Sequence, residues 1–125
     1  MKTTLKFAVI LFLLAIQHDL AAQVGDISKS ELLGAMNSFD GLDLSAEEEN
    51  KLRETNTKVV DNIFGIANSD ADDKNRLEKL KSAKSINDKL FEDVLDAKKL
   101  KKYRKKVKKE LRPFKRKAKF VKFLI

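Results

Sequence analysis

The last 28 residues, 98–125, constrain the fold of this chain more than any other stretch. They read KKLKKYRKKVKKELRPFKRKAKFVKFLI, with fifteen Lys or Arg against one Glu, which gives a net charge of +14. Apolar residues nevertheless recur at spacings of three and four: Leu100, Tyr103, Val107, Leu111, Phe114, Ala118, Val121 and Ile125. This period gives a helix one apolar stripe and a cationic remainder. The segment is therefore predicted to pack its stripe on something apolar and to attract something anionic.

The N-terminus has the pattern of an export signal. Lys2 and Lys6 precede an apolar run at 7–16. This run is shorter than the about 20 residues that a membrane-spanning helix needs, and it suits a signal-peptide core. Residues 1–22, ending at Ala22, are predicted to be removed, and an uncleaved anchor is the less favoured alternative. The expected location is therefore the periplasm or the exterior.

The remaining residues, 23–125, are predicted to form one helical domain. The chain has no cysteine, four Gly, one Pro and no Trp. An exported domain of this size often depends on disulfides, so stability here must come from helix packing, dimerisation or a ligand. The predicted fold class is all-α, a small subunit of three to four helices.

Capping boxes predict where the first helices begin. One opens at Ser28 and precedes a short helix that ends within 37–41, and another opens at Ser45 and precedes a helix at about 46–67. A polar loop then leads into a third helix at about 74–94.

The start of the basic helix is open to two interpretations. Asp96 can cap a fourth helix, but Lys98 and Lys99 would oppose the dipole of its first turn, which favours one continuous helix. Further along, Pro113 is expected to kink or end the basic helix, because it lacks an N–H and clashes with the preceding turn.

Charge divides the chain into two parts. Residues 23–97 contain ten basic and seventeen acidic residues, a net −7, against +14 for the tail. The acidic helices are therefore expected to neutralise the basic segment in part, within the chain or across a dimer, and to leave a cationic surplus.

Two stretches, 51 residues apart, resemble the paired LTxxQ motifs of the Spy/CpxP family of periplasmic proteins. The two copies comprise Leu44, Ser45 and Glu48 in the first, and Leu95, Asp96, Lys99 and Tyr103 in the second. Ser45 and Asp96 stand at the Thr position and can both cap a helix. Glu48 and Lys99 stand at the Gln position, where this chain departs from the motif.

The resemblance implies a four-helix subunit that dimerises antiparallel into a curved shell. It also implies capture of unfolded envelope proteins without ATP, or modulation of an envelope-stress sensor. Charge would steer an acidic or unfolded client to the tail, and exposed apolar residues would hold it. The residues expected to bind the client or another anionic partner are Lys105, Lys106, Lys108, Lys109, Arg112, Phe114, Arg116, Val121 and Phe123.

Other functions fit the sequence less well. The expected mature chain has neither His nor Cys, which argues against catalysis, a metal site or a cofactor. The alternative function is a membrane-surface protein whose basic amphipathic C-terminal helix binds anionic lipid or lipopolysaccharide. Nucleic-acid binding is disfavoured because the protein is expected to be exported. In addition, the basic segment has only one tyrosine on which bases could stack. A dimer that buries the stripe would need no ligand at all.

Overall fold

The computed structural model describes residues 27–125, so the predicted leader at 1–22 lies outside the described residues. Within them the chain is all-helical, without any strand, which confirms the all-α class. The elements are α1 (Lys29–Met36), α2 (Ala46–Ala67), α3 (Asp73–Val94), α4 (Ala97–Lys117) and a 3-10 helix, η1 (Lys119–Phe123).

Side-chain caps begin each of the four α-helices. Ser28 and Ser45 complete the predicted capping boxes, each with a glutamate three residues later. Asp72 and Asp96 accept the backbone N–H three residues ahead. Because local hydrogen bonds satisfy these first-turn N–H groups, the helix starts follow from the local sequence.

Of the two interpretations, the separate fourth helix capped by Asp96 is confirmed, and the favoured continuous helix is wrong. Leu95 is extended (φ −120°, ψ 144°), and Asp96 accepts the N–H of Lys99 at 2.8 Å. The Asp96 carboxylate lies at the positive end of the helix dipole and offsets the unfavourable lysines there. The two helices consequently diverge from a sharp corner instead of forming one rod.

Pro113 does not end the basic helix, which continues to Lys117. The kink at Pro113 stays a prediction. The helix ends instead at Ala118, whose backbone is extended (φ −145°, ψ 125°), and η1 follows.

The helices run as an antiparallel hairpin with a third long helix beside it. α2 and α3 make the most extensive contact of any pair, whereas the consecutive helices α3 and α4 touch only slightly. α1 packs on both α2 and α4, and η1 packs on all three long helices. Contacts of Glu48 with Lys99, and of Phe64 with Phe120, show that α2 and α4 begin at the same end of the molecule.

The apolar stripe of the basic segment lies inside the subunit. Leu100, Tyr103, Val107 and Leu111 of α4 are buried together with the large apolar residues of α1, α2 and α3. The chain then turns back through η1, and five of the last six residues are also buried: Phe120, Val121, Phe123, Leu124 and Ile125. The stripe therefore needs neither a dimer nor a membrane to cover it.

Candidate cationic binding surface

Burial of the stripe directs the cations of α4 outward. Eight Lys or Arg side chains of this helix, counted from its second turn onward, are exposed: Lys101, Lys102, Lys105, Lys108, Lys109, Arg112, Arg116 and Lys117. Among all described residues, only Lys99 and Arg104 of α4 form ion pairs with carboxylates. The outer face of α4 is consequently a cationic surface with little internal compensation.

The sequence-predicted binding residues divide into three groups. The exposed ones are Lys105, Lys108, Lys109, Arg112 and Arg116. Lys106 and Phe114 are half-buried, and Lys106 Nζ donates a hydrogen bond to the carbonyl oxygen of Asp40.

Val121 and Phe123 are buried, with 0% and 7% of their surface exposed. Their predicted role in holding a client from an exposed position is therefore corrected. The reason is that η1 folds back over α2, α3 and α4, and the ring of Phe120 contacts that of Phe64 edge-on, with centroids 5.4 Å apart.

A groove of about 750 Å³ lies between the end of α3 and the first three turns of α4. Leu95, Ala97 and Leu100 form its apolar part. Its cationic wall consists of Lys101, Arg104, Lys105 and Lys108, and its acidic residues are Glu92 and Asp96. Lys101 and Arg104 were not among the sequence-predicted site residues. Lys101 precedes Lys105 by four residues and Lys108 by seven, and Arg104 precedes Lys108 by four, which was the available indication that they lie on one side of a helix.

Arg104 is the least satisfied cation of this groove. Its Nε and Nη2 atoms are shielded from solvent and have no hydrogen-bond partner. Its nearest carboxylate oxygen is Asp88 Oδ1, 3.7 Å from Nη2, and Lys84 Nζ already donates to both oxygens of that carboxylate, at 3.2 and 3.0 Å. Two cations thus share one carboxylate, and the exposed third of the Arg104 side chain, away from the shielded Nε and Nη2 atoms, can be reached by a further anion.

The two motif copies meet in the structure. Lys99 Nζ donates to both carboxylate oxygens of Glu48, at 2.8 and 3.2 Å. The hydrogen bond from Lys99, and after it the one from the Ser45 backbone, lowers the pKa of Glu48, and the same pairing raises the pKa of Lys99. Both residues occupy the Gln position of their copy, so equivalent positions of the two copies contact each other across α2 and α4.

Residues 27–125 offer no assembly of three or more His, Cys, Asp or Glu side chains that could hold a metal ion. In the same range, no helix combines the length and apolar character needed to cross a membrane.

Comparison of the chain with protein-family models, with curated protein sequences and with solved structures found no match. The functional argument therefore depends on the motif residues and on the surface described above.

Proposed function

We propose that this chain is an exported, non-enzymatic binding protein of the Spy/CpxP type, a chaperone or stress modulator that holds unfolded or acidic proteins without ATP. The observation that carries the proposal is the outer face of α4. Its cations are fixed on one helix by a buried stripe, and almost none of them is neutralised by the rest of the described chain. Such a surface raises the encounter rate with anionic partners over long distances.

The contact between Glu48 and Lys99 supports the proposed family relationship. In each copy, the N-cap side chain accepts the N–H of the residue whose own side chain forms the pair. A chance resemblance between two short stretches would not be expected to place equivalent positions, 51 residues apart, in direct contact. The pair therefore gives the two copies a common structural role, which is to fasten the start of α2 to the start of α4.

In this function, residues other than Val121 and Phe123 make the apolar contacts with the client. Phe114 is half-buried against the core and Ala97 is exposed in the groove beside α4, whereas Leu95 and Leu100 line that groove but are themselves buried. Capture in our proposal is consequently driven mainly by charge, with a small apolar contribution.

The test is suppression of aggregation by residues 23–125, with an unfolded acidic client at near-stoichiometric ratio and without ATP. Replacement of Lys105, Lys108, Lys109 and Arg112 by Gln is expected to slow capture and to weaken its dependence on salt, because these charges act at long range. A matched control replaces four exposed lysines outside α4, Lys58, Lys74, Lys79 and Lys81, and is expected to retain most of the capture rate.

Two results would contradict the proposal. Equal losses in the two quadruple variants would mean that net charge alone matters, and absence of protection by the wild type would exclude a chaperone. Binding of wild type to vesicles of anionic lipid, with no protection of the client, would favour the membrane-surface alternative. Because the apolar stripe is buried, such vesicle binding would have to be electrostatic and disappear at high salt.

A further inference from the structure

The groove beside α4 is polar along its length. Its carboxylates, Glu92 and Asp96, come from the last turn of α3 and the N-cap of α4, whereas its cations follow one to three turns later. A helix rises 1.5 Å per residue, so Asp96 and Lys108 are separated by roughly 18 Å along α4. That length matches an extended segment of about five or six residues.

The apolar part of the groove lies toward its acidic end. Leu95 forms the corner between α3 and α4, and Ala97 begins α4, before the first cation of the wall at Lys101. An incoming segment would therefore meet apolar contacts and negative charge at one end, and positive charge at the other.

At the cationic end of the groove, Arg104 needs a carboxylate partner from outside the chain. Its Nε and Nη2 atoms are shielded from solvent and make no hydrogen bond, and Asp88 is 3.7 Å from Nη2, so the exposed part of this guanidinium, which prefers a close carboxylate partner, is only weakly compensated. Asp88 compensates this charge only in part, because its carboxylate lies 3.7 Å from Arg104 Nη2 and also accepts hydrogen bonds from Lys84 at both oxygens. A carboxylate from another molecule would compensate the charge of Arg104, and Lys101 and Lys108 would help to bind that carboxylate.

We infer that this groove binds a short acidic segment of an unfolded polypeptide in one orientation. The carboxylates of the segment lie over Lys101, Arg104 and Lys108, and its apolar side chains lie over Leu95 and Ala97. The inference rests on the proposed function and narrows it, because it assigns client selection to this groove and not to the whole cationic face.

The experiment measures binding of a fluorescent peptide that carries three Glu at one end and two Leu at the other. The double variant Arg104→Gln/Lys108→Gln is expected to weaken binding about 10-fold or more, since charge-assisted hydrogen bonds to a carboxylate are lost. The matched control, Lys102→Gln/Lys117→Gln, removes the same charge from exposed positions outside the groove and is expected to weaken binding by no more than about 3-fold, because exposed distant charges are screened. A second variant, Lys101→Gln/Lys108→Gln, changes only exposed side chains. Weaker peptide binding by this variant would therefore not be a result of misfolding, which replacement of the partly buried Arg104 could cause.

Orientation is measured with the same peptide and a nitroxide at either end. A label at the leucine end is expected to broaden the amide resonances of Glu92 to Ala97, and a label at the glutamate end those of Lys105 to Lys108. Equal broadening of both regions by either label would overturn the single orientation.

The remaining outcomes separate this inference from the proposed function. Equal weakening by the groove variant and its control, with client protection intact, overturns the groove and leaves the proposed function standing. Groove-dependent peptide binding without protection of unfolded clients supports the groove and overturns the chaperone. Displacement of the peptide by anionic vesicles, with tighter binding of wild type to the vesicles than to the peptide, overturns the peptide as occupant in favour of a lipid surface.

Discussion

Tyr103 places a polar group in the centre of the apolar core. Its hydroxyl oxygen lies 2.7 Å from the carbonyl oxygen of Met36 and 3.0 Å from Asn56 Oδ1. Met36 is the last residue of α1, and the terminal carbonyls of a helix have no partner within that helix. Asn56 Nδ2 donates to the same carbonyl at 3.2 Å and to Asn37 Oδ1 at 2.8 Å. The network thus satisfies the buried end of α1 and joins α1, α2 and α4.

Removal of the Tyr103 hydroxyl group is expected to destabilise the fold and to change its response to alkaline pH. Tyr103→Phe is expected to lower the free energy of unfolding by about 1–2 kcal/mol, because buried acceptors lose a donor. Burial raises the pKa of the Tyr103 phenol. The protonated phenol therefore contributes stability below the unfolded pKa near 10, and this contribution is lost as pH rises above it, by about 1.4 kcal/mol per pH unit.

Urea unfolding of both proteins across alkaline pH tests this prediction, since the lysines titrate in both and only the wild type has the phenol. The chain contains one tyrosine, so phenolate absorbance follows this group directly. Ionisation near pH 10 with the helical signal unchanged would show that the phenol is not held in the core.

At the scale of the element, α4 tolerates a proline because tertiary contacts hold both sides of it. Pro113 is exposed and cannot donate to the carbonyl four residues earlier. Leu111, two residues before it, is completely buried, and Phe114, directly after it, packs against the core. The contacts on either side of Pro113 therefore keep the backbone helical at a position where local sequence favours an end.

Pro113→Ala is expected to stabilise the subunit by about 1–3 kcal/mol, because alanine restores the missing N–H and has high helix propensity. Thermal unfolding measures the change. Lys109→Ala, an exposed replacement one turn earlier, is the control and is expected to stay within about 0.5 kcal/mol of wild type. A lower melting temperature for Pro113→Ala would show that the proline directs η1 back to the core.

At the scale of the molecule, two large apolar side chains of α3 are exposed, and they lie on opposite sides of the helix because they are nine residues apart. Ile86 is 62% exposed and Leu77 is 40% exposed, both on α3. Ile86 lines a shallow groove of about 470 Å³ between α2 and α3, together with Ile66 and Ala83. We propose that a second copy of the chain covers this face in the expected dimer.

Ile86→Lys is expected to raise the dissociation constant of that dimer by at least about 10-fold, because it would bury an unpaired charge in the interface. Sedimentation at micromolar concentration measures the effect. Asn50→Lys adds the same charge at an exposed position of α2 and serves as the control. A wild type that remains monomeric, or equal effects of both variants, would contradict the assignment of this face.

The sequence by itself determined the features that depend on neighbours within one or two turns. Ser45 and Glu48 fix the start of α2 with each other's backbone N–H groups, and the helix has its predicted limits, Ala46–Ala67. The spacing of Leu100, Tyr103, Val107 and Leu111 likewise predicted one apolar side of α4, which the structure buries. Caps and side-chain period are local properties, so they can be predicted without knowing what packs against the helix.

Tertiary structure alone decided what covers the stripe and which charges remain available. The same apolar pattern at Val121 and Phe123 fits a client site, a membrane contact or a core, and the core is found because η1 folds back on three helices. The partner of Lys99 is Glu48, 51 residues away, and the groove that contains Arg104 exists only because α3 and α4 diverge at Asp96. These outcomes depend on contacts between distant segments, and a side chain's chemistry limits its possible partners without selecting the one that packing brings within reach.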